Sequence, residues 1–430
     1  MITAKRLLII AGCVLLMVVA WIVLITAQTD RERQEINLRD AQAYMEDKVF
    51  VKAQPLLETA ASLQADQTLK AKLLLKQVYL ELQDRNNYTA MLDTLMAEPS
   101  LGTEIFWEAA QYYLSTGKYR DALAVLSKGV LQTGDAELEA FYEENRYSYN
   151  QAYVRFHEMS EIWQGTVRVT NDGLSGIASL DGELLLPCVY DAVSTMSDGV
   201  AVVRSGNEIF AVNRRNQRTA LLKTDKTVTA FGNLANQRVP LQIGGQWLRA
   251  TPEFQMSETL YEEMGMYAGG YAAVKENGRW GVCSTGGEPL VPSEYDAIAM
   301  DELGRCYGQG AVFVKQGSSW RLYRNGAAGA DTYEDAKPFQ DGYAAVKQNG
   351  KWGFVDAEGT LVLPCQWDDA RSFGMHVAAV RSGDRWGYIN RFGNLVIEPT
   401  FQDAKSFSSG YAPVQTDTGW TVIALKEMVD

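Results

Sequence analysis

The chain is predicted to be multidomain α + β: an N-terminal transmembrane helix, a stack of α-hairpins, and an all-β repeat domain of about eight units. Three observations carry this. An uncharged apolar run fills residues 7–27, and apolar residues recur at helical spacing from 36 to 148. From 149 to 430 one short motif returns about every 34 residues. The boundaries that follow are 1–6 for a tail, 7–27 for the anchor, 28–35 for a linker, 36–148 for the helices and 149–430 for the β-region.

Leu7 to Ala27 is 21 residues without a charge. At ~1.5 Å per residue it reaches roughly 31 Å, enough for a hydrocarbon core of about 30 Å. Lys5 and Arg6 precede it, whereas Arg31 and Arg33 alternate with Asp30 and Glu32 behind it. The positive-inside rule therefore keeps the short tail cytoplasmic and places the bulk of the chain outside, as a single-pass protein of the cell membrane. A cleaved signal peptide fits less well, because its apolar run is usually about 7–15 residues. Ile10-Ala11-Gly12-Cys13 resembles a lipoprotein box, but the chain stays apolar well beyond Cys13.

Residues 36–148 are rich in Ala, Leu, Glu, Gln and Lys. The stretch from Trp107 to Leu126 resembles a tetratricopeptide repeat, with an aromatic-Ala helix, a Gly117-Lys118-Tyr119 turn, and Ala122-Leu123 opening a second helix. Ala109 and Ala122 are the small residues that let paired helices approach. Weaker copies run through Tyr44, Phe50, Ala53 and Leu57, and through Leu74, Tyr79, Tyr88 and Leu92. Leu138 to Asn145 is expected to cap the stack. Such a region either presents a concave peptide-binding surface or acts as a stalk, and the stalk is the plainer expectation.

In the β-region the Trp of a Trp-Gly pair serves as a ruler. It falls at Trp280, Trp352 and Trp386, followed by Gly281, Gly353 and Gly387. Trp247, Trp320 and Trp420 keep the Trp alone, while Ser175 and Ile209 occupy the place in two eroded copies. Successive spacings are 34, 38, 33, 40, 32, 34 and 34. A unit this short cannot bury its own apolar face, so neighbours must stack. In the clearest copy Tyr343 to Lys347 is expected as a strand, and Asn349-Gly350 suits a type I′ hairpin turn. A second strand follows through Trp352 and Phe354. The third, Leu361 to Leu363, is expected to stop at Pro364, the counterpart of Pro187, Pro292 and Pro399. An aromatic-Asp-x-Ala piece then closes the unit, as in Tyr190-Asp191-Ala192, Tyr295-Asp296-Ala297 and Phe401-Gln402-Asp403-Ala404.

This pattern resembles the WG-repeat (KWG) family of bacterial proteins over roughly residues 149–430. The resemblance implies a β-repeat binding module and brings no catalytic residues. The arrangement expected is a closed propeller, with an open β-solenoid as the alternative. The last unit, Gly410 to Asp430, lacks its closing piece, and Tyr153 to Met159 reads as an orphan copy of one. A ring sealed from both ends accounts for both facts and protects the sheet edges.

The composition excludes several functions. A net charge of −13 leaves nothing to neutralise nucleic-acid phosphates. Two histidines, His157 and His376, are too few for a metal site or a nucleophile–base pair. His376 reads as a variant at the place of Ala272 and Ala344. Cys188 and Cys365 each follow the repeat proline, and with Cys283 and Cys306 they are expected to be free thiols. The recurring Asp offers too few oxygens for calcium, and is expected to cap its own turn. Gly244-Gly245, Gly269-Gly270 and Gly286-Gly287 sit at turns, outside any phosphate-loop context.

The tryptophan column, Trp247, Trp280, Trp320, Trp352, Trp386 and Trp420, is expected to be repeat core with Gly281, Gly353 and Gly387. Each indole buries roughly 150–250 Å² when packed. Stacking of sugar rings is the sharper alternative. The function expected is non-catalytic recognition of a protein partner or cell-wall glycan, with no cofactor and no metal. A scaffold acting through the helical region is the alternative, and an enzyme hidden between Gly199 and Met266 the remotest.

Overall fold

The computed structural model describes Met17, residues 29–63 and residues 65–428, and divides into two compact units, Met1–Glu143 and Glu144–Asp430. The apolar run at 7–27, with Cys13, lies outside the described residues apart from Met17. Among the described residues no helix is long and apolar enough to cross a membrane.

Seven helices occupy the N-terminal region among the described residues: α1 (29–46), α2 (Phe50–Ser62), α3 (Thr68–Glu81), α4 (Arg85–Leu95), α5 (Glu104–Ser115), α6 (Tyr119–Thr133) and α7 (Ala136–Arg146). Three-residue turns join α1 to α2, α3 to α4 and α5 to α6. The middle residue of each is left-handed: Lys48 at φ 58°, Gln83 at 56° and Gly117 at 78°. Only the third copy uses glycine, the residue that adopts this conformation without a steric cost. The small residues Ala41, Ala53, Ala60, Ala71, Ala109 and Ala122 are fully buried in one continuous core. Gln34 is buried with them. Its amide nitrogen donates to Ala60 O at 2.9 Å, and its amide oxygen accepts from Gln67 N at 2.9 Å.

The second unit is an eight-bladed β-propeller. Eight antiparallel sheets follow in chain order, seven of four strands and one of three. The first seven blades take their strands consecutively. The eighth is completed by Tyr149–Gln151, which pairs antiparallel with Gly419–Leu425 from the other end of the chain. Phe156 bridges Trp420, as Phe401 bridges Trp386 and Trp367 bridges Trp352. The orphan segment read in the sequence thus supplies the missing aromatic. Blade 1 then packs on blade 8 through Val167, Val169, Trp420 and Val422, which closes the ring.

Each blade buries both faces against its neighbours. In blade 6, Trp352 and Phe354 face Ala378, Val380 and Ile389 of blade 7. Ala344, Val346 and Val355 on the opposite face meet Ala311 and Phe313 of blade 5. Alternation along a strand delivers successive side chains to opposite neighbours, so these strands read as nearly continuous apolar runs.

The glycine of the Trp-Gly pair has a steric cause. A Cβ on Gly353 would lie 2.6 Å from Leu363 O and 2.7 Å from Cys365 N, both backbone atoms of the outer strand. Gly176 and Gly281 meet their outer strands in the same way. The four blades that carry this glycine, at 176, 281, 353 and 387, are those with seven-residue outer strands, each containing the repeat proline. Where Phe210, Leu248, Arg321 or Thr421 stands instead, the outer strand is four residues, absent, two residues, or borrowed from the N-terminal end.

Three expectations are corrected. The third strand does not stop at proline: it runs Leu361–Trp367 through Pro364, at a register shift against its partner. An outer strand has one unpaired edge, and a bulge there tolerates the missing N–H. The closing piece is also split between blades. Its aromatic ends one outer strand, and the x-Ala forms the inner strand of the next blade, as in Asp369–Ala370. Finally, Gly374 bridges Val377 as Gln340 bridges Tyr343, so His376 stands at the place of Gly342 and not of Ala344.

Candidate functional site

Seven of the eight inner strands are two residues long and that of blade 3 is four, and the residue after each lines the axis of the ring. Its N–H donates to the second strand at an equivalent place in every blade, which puts Ser160, Ser194, Gly232, Gly265, Ala299, Lys337, Arg371 and Lys405 in one register. Blades 1 to 5 present small residues there, and blades 6 to 8 present three consecutive cations. The tryptophan ruler stands directly behind them. Lys337 Nζ lies 4.7 Å from the Trp352 ring centroid, Arg371 Cζ 5.2 Å from Trp386, and Lys405 Nζ 4.9 Å from Trp420. A cation over an indole face is held electrostatically, so these tryptophans position the channel charges.

Trp280, Trp352, Trp386 and Trp420 are buried, Trp247 and Trp320 half-buried. Gly281, Gly353 and Gly387 lie beneath the outer strands of their blades. Of the four cysteines among the described residues, all free thiols, Cys306 is fully buried, and burial pushes its thiol up to about 12.

Two of the three channel cations find an acid on the following blade. Lys337 Nζ lies 3.2 Å from Asp369 Oδ1, and Arg371 Nη2 lies 2.9 Å from Asp403 Oδ1. The other acid of the motif caps a hairpin, though not its own turn. Asp191, Glu262, Asp296, Glu334 and Asp368 accept from the N–H of Gly206, Gly278, Gly317, Gly350 and Gly383 in the turn between the second and third strands of the same blade. Five of the eight blades use this device, which assigns that acid to structure. Among the described residues no group of His, Cys, Asp and Glu is arranged to hold a metal ion.

A six-residue insertion, Met300 to Arg305, enters the channel from blade 5. It is a tight loop. Asp301 Oδ1 accepts from Leu303 N and Arg305 N, both at 3.0 Å, and Asp301 Oδ2 pairs with Arg305 Nε at 2.5 Å. Leu303 O accepts from Asn233 Nδ2 of blade 3 at 2.9 Å, and Gly304 O from Met266 N of blade 4. On the far side Glu302 pairs with Arg371 Nη1 of blade 7 at 2.5 Å and with Lys405 of blade 8. The loop therefore plugs the channel and ties four other blades together.

Beside it lies a cavity of about 310 Å³, lined by Glu161, Arg305, Lys337, Gln340, Arg371 and Ser372 among others. The electrostatics are uneven. Burial pushes the Glu161 carboxyl up to about 7, against the opposing pull of Arg371 and Arg305, and its Oε1 accepts only a 3.4 Å hydrogen bond from Ser406 N. Burial acts against charge on Arg371 too, but Glu302 and Asp403 outweigh it and hold its guanidinium more firmly protonated. Burial likewise opposes ionisation of Glu302, yet Arg371 and Lys405 keep its carboxyl below the usual range. Lys337 is lowered by burial, with Asp369 only partly offsetting it. Arg371 Nε has no hydrogen-bond partner. Such a cavity suits recognition of a compact polar group by charge-assisted hydrogen bonds.

The model of the WG containing repeat matches residues 176–208, 257–280, 332–352, 352–385 and 386–420. All five matched segments lie in the propeller, and they include the eroded first unit at Gly176 as well as copies that retain both Trp and Gly. No curated protein matches the chain. Among solved structures, Hsv2 of Kluyveromyces marxianus is 10% identical over 57% of this chain and 96% of its own, with a TM-score of 0.38. A eukaryotic initiation factor is 12% identical over 59% and 78%, at 0.40. The extracellular domain of a hybrid two-component system from B. thetaiotaomicron is 10% identical over 65% and 40%, at 0.34. None of these likenesses bears on function.

The channel residues were invisible as a site in the sequence. Lys337, Arg371 and Lys405 follow the aromatic-Asp-x-Ala motif directly, but three cations on a repeat read as a solvated face. The plug left one trace. The spacing of 40 between Trp280 and Trp320 exceeds the common 34 by six, the length of the insertion.

Proposed function

We propose that this chain is a non-catalytic binding protein whose WG-repeat propeller recognises its ligand at the central channel. The observation that carries the reading is the accessible cavity on the ring axis, walled by charges that a rigid ring holds in place. Rigid presentation of polar groups lowers the entropy cost of recognition. The ligand class is a protein partner or a cell-wall polymer. The 21-residue run at 7–27 supports anchoring in the cell membrane with the propeller outside.

A scaffold reading is supported by the helical region. Its repeated helical pairs, with a left-handed residue at the same turn position, fit a tetratricopeptide-like stack that recruits partners. Capture with the two compact units, each used separately as bait, distinguishes the two. Ligand held by Glu144–Asp430 alone supports recognition by the propeller. Ligand held only by the helical unit overturns it in favour of the scaffold.

A further inference from the structure

We propose that the channel contains a carboxylate-binding site whose resident occupant is the chain's own Glu302, and that a carboxylate from outside takes its place on Arg371 and Lys405. The inference rests on the channel being the binding surface.

The repeat itself makes the cations and most of their partners. Lys337 pairs with Asp369 and Arg371 with Asp403, each time one blade onward. Lys405 is next in that series, and it turns across the channel to Glu302. Glu302 belongs to no repeat position, because it arrives on the insertion. Without it, Lys405 loses its ion-pair partner, while Lys337 and Arg371 keep Asp369 and Asp403.

Accessibility is arranged for exchange. The Glu302 side chain is 43% exposed, whereas those of Arg371 and Lys405 are 15% and 7% exposed. The cations are built into the wall and the anion lies on the solvent side. Glu302 can therefore swing away without any blade moving, while the loop stays held through Leu303 O and Gly304 O. Arg371 gives Nη1 to Glu302 and Nη2 to Asp403, so an incoming carboxylate takes over Nη1 and leaves the Asp403 pair in place. The adjoining cavity of about 310 Å³ admits a small acid or one acidic side chain, and not a folded segment.

The test uses the full chain with Glu302→Ala, and Glu302→Gln in parallel should the alanine variant not fold. Glutarate, a short end-blocked peptide containing one Glu, sodium sulfate and sodium chloride are compared at matched ionic strength. Calorimetric titration and thermal melting are the readouts. With the internal competitor removed, the variant is expected to bind a carboxylate at least about tenfold more tightly than the parent chain. It should also regain its lost melting temperature in glutarate or peptide, and not in chloride. Adding Arg371→Gln to the variant should abolish both effects. Preference for glutarate identifies a free acid as ligand, and preference for the peptide identifies an acidic protein segment. Equal binding by parent and variant overturns the proposal, as does rescue by sulfate as strong as by carboxylate. If the propeller captures a partner and still shows no carboxylate effect, this inference fails and the binding reading stands.

Discussion

Replacing Glu161 with Gln should change how stability depends on pH. The side chain is 6% exposed on the channel axis, and burial raises its carboxyl from 4.5 to about 7. Between those values the folded chain keeps the proton that the unfolded chain has lost. Stability therefore falls as pH rises through that window and levels off above it. At about 1.4 kcal/mol per pH unit, the full loss is about 3 kcal/mol. Gln keeps the shape and stays neutral. The variant should match the parent near pH 4.5 and exceed it by up to about 3 kcal/mol at pH 8. Urea unfolding followed by tryptophan fluorescence is a suitable assay, because eight of the ten tryptophans lie in the propeller. The reasoning is refuted if the difference between variant and parent is the same at both pH values. It is equally refuted if Gln destabilises at pH 8, since Arg371 and Arg305 would then be stabilising an ionised Glu161.

Three further outcomes are expected. Trp352→Ala removes an indole that is 5% exposed between blades 6 and 7 and carries the Lys337 amine over its face. It should cost about 3–5 kcal/mol, read as a lowered unfolding midpoint. Gly353→Ala places a Cβ against backbone on the outer strand, which no rotamer change relieves. A loss of about 1–3 kcal/mol is expected, with faster amide exchange along Leu361–Trp367 as its local signature. His376→Gly acts in the opposite direction. His376 sits at φ 68° beside Met375 at φ 52°, in a turn where blades 6 and 8 place Gly342 and Gly410. Glycine should raise stability by about 1 kcal/mol, since the exposed pair with Asp341 contributes little.

The repeat made the unit count and the sealing of the ring legible. Each copy is an unfinished core, and the last copy's missing aromatic was traceable to the segment containing Phe156. Register within a unit was less legible. Tyr190-Asp191-Ala192 reads as one continuous piece, yet the chain crosses between blades inside it, because a motif repeated with the same period does not say where one sheet ends. Pro364 misled for a related reason. A proline marks a strand end only where its N–H would be needed, and on an outer strand it is not. His376 was misplaced because Gly374 imitates the Gly342 that begins the preceding copy. The channel was illegible since its members lie in five different blades and meet only once the ring closes.

The asymmetry of the channel explains why a plug exists at all. An eight-bladed ring leaves a wide axis, and blades 1 to 5 contribute only Ser160, Ser194, Gly232, Gly265 and Ala299 at the lining position. That vacant half is where the insertion rests. A Cβ at Gly265 would lie 2.7 Å from Gly304 O and 2.9 Å from Met300 Sδ, so a larger residue there and the present loop exclude one another. The cations of blades 6 to 8 make the complementary demand, because half-buried positive charge in a closed ring is costly without an anion. Glu302 meets that demand from the one direction left open by the small residues. Loop, glycine and cation arc are therefore one physical unit. Changing the lining position in blade 4 should disturb ion pairs in blades 7 and 8, although no strand connects them.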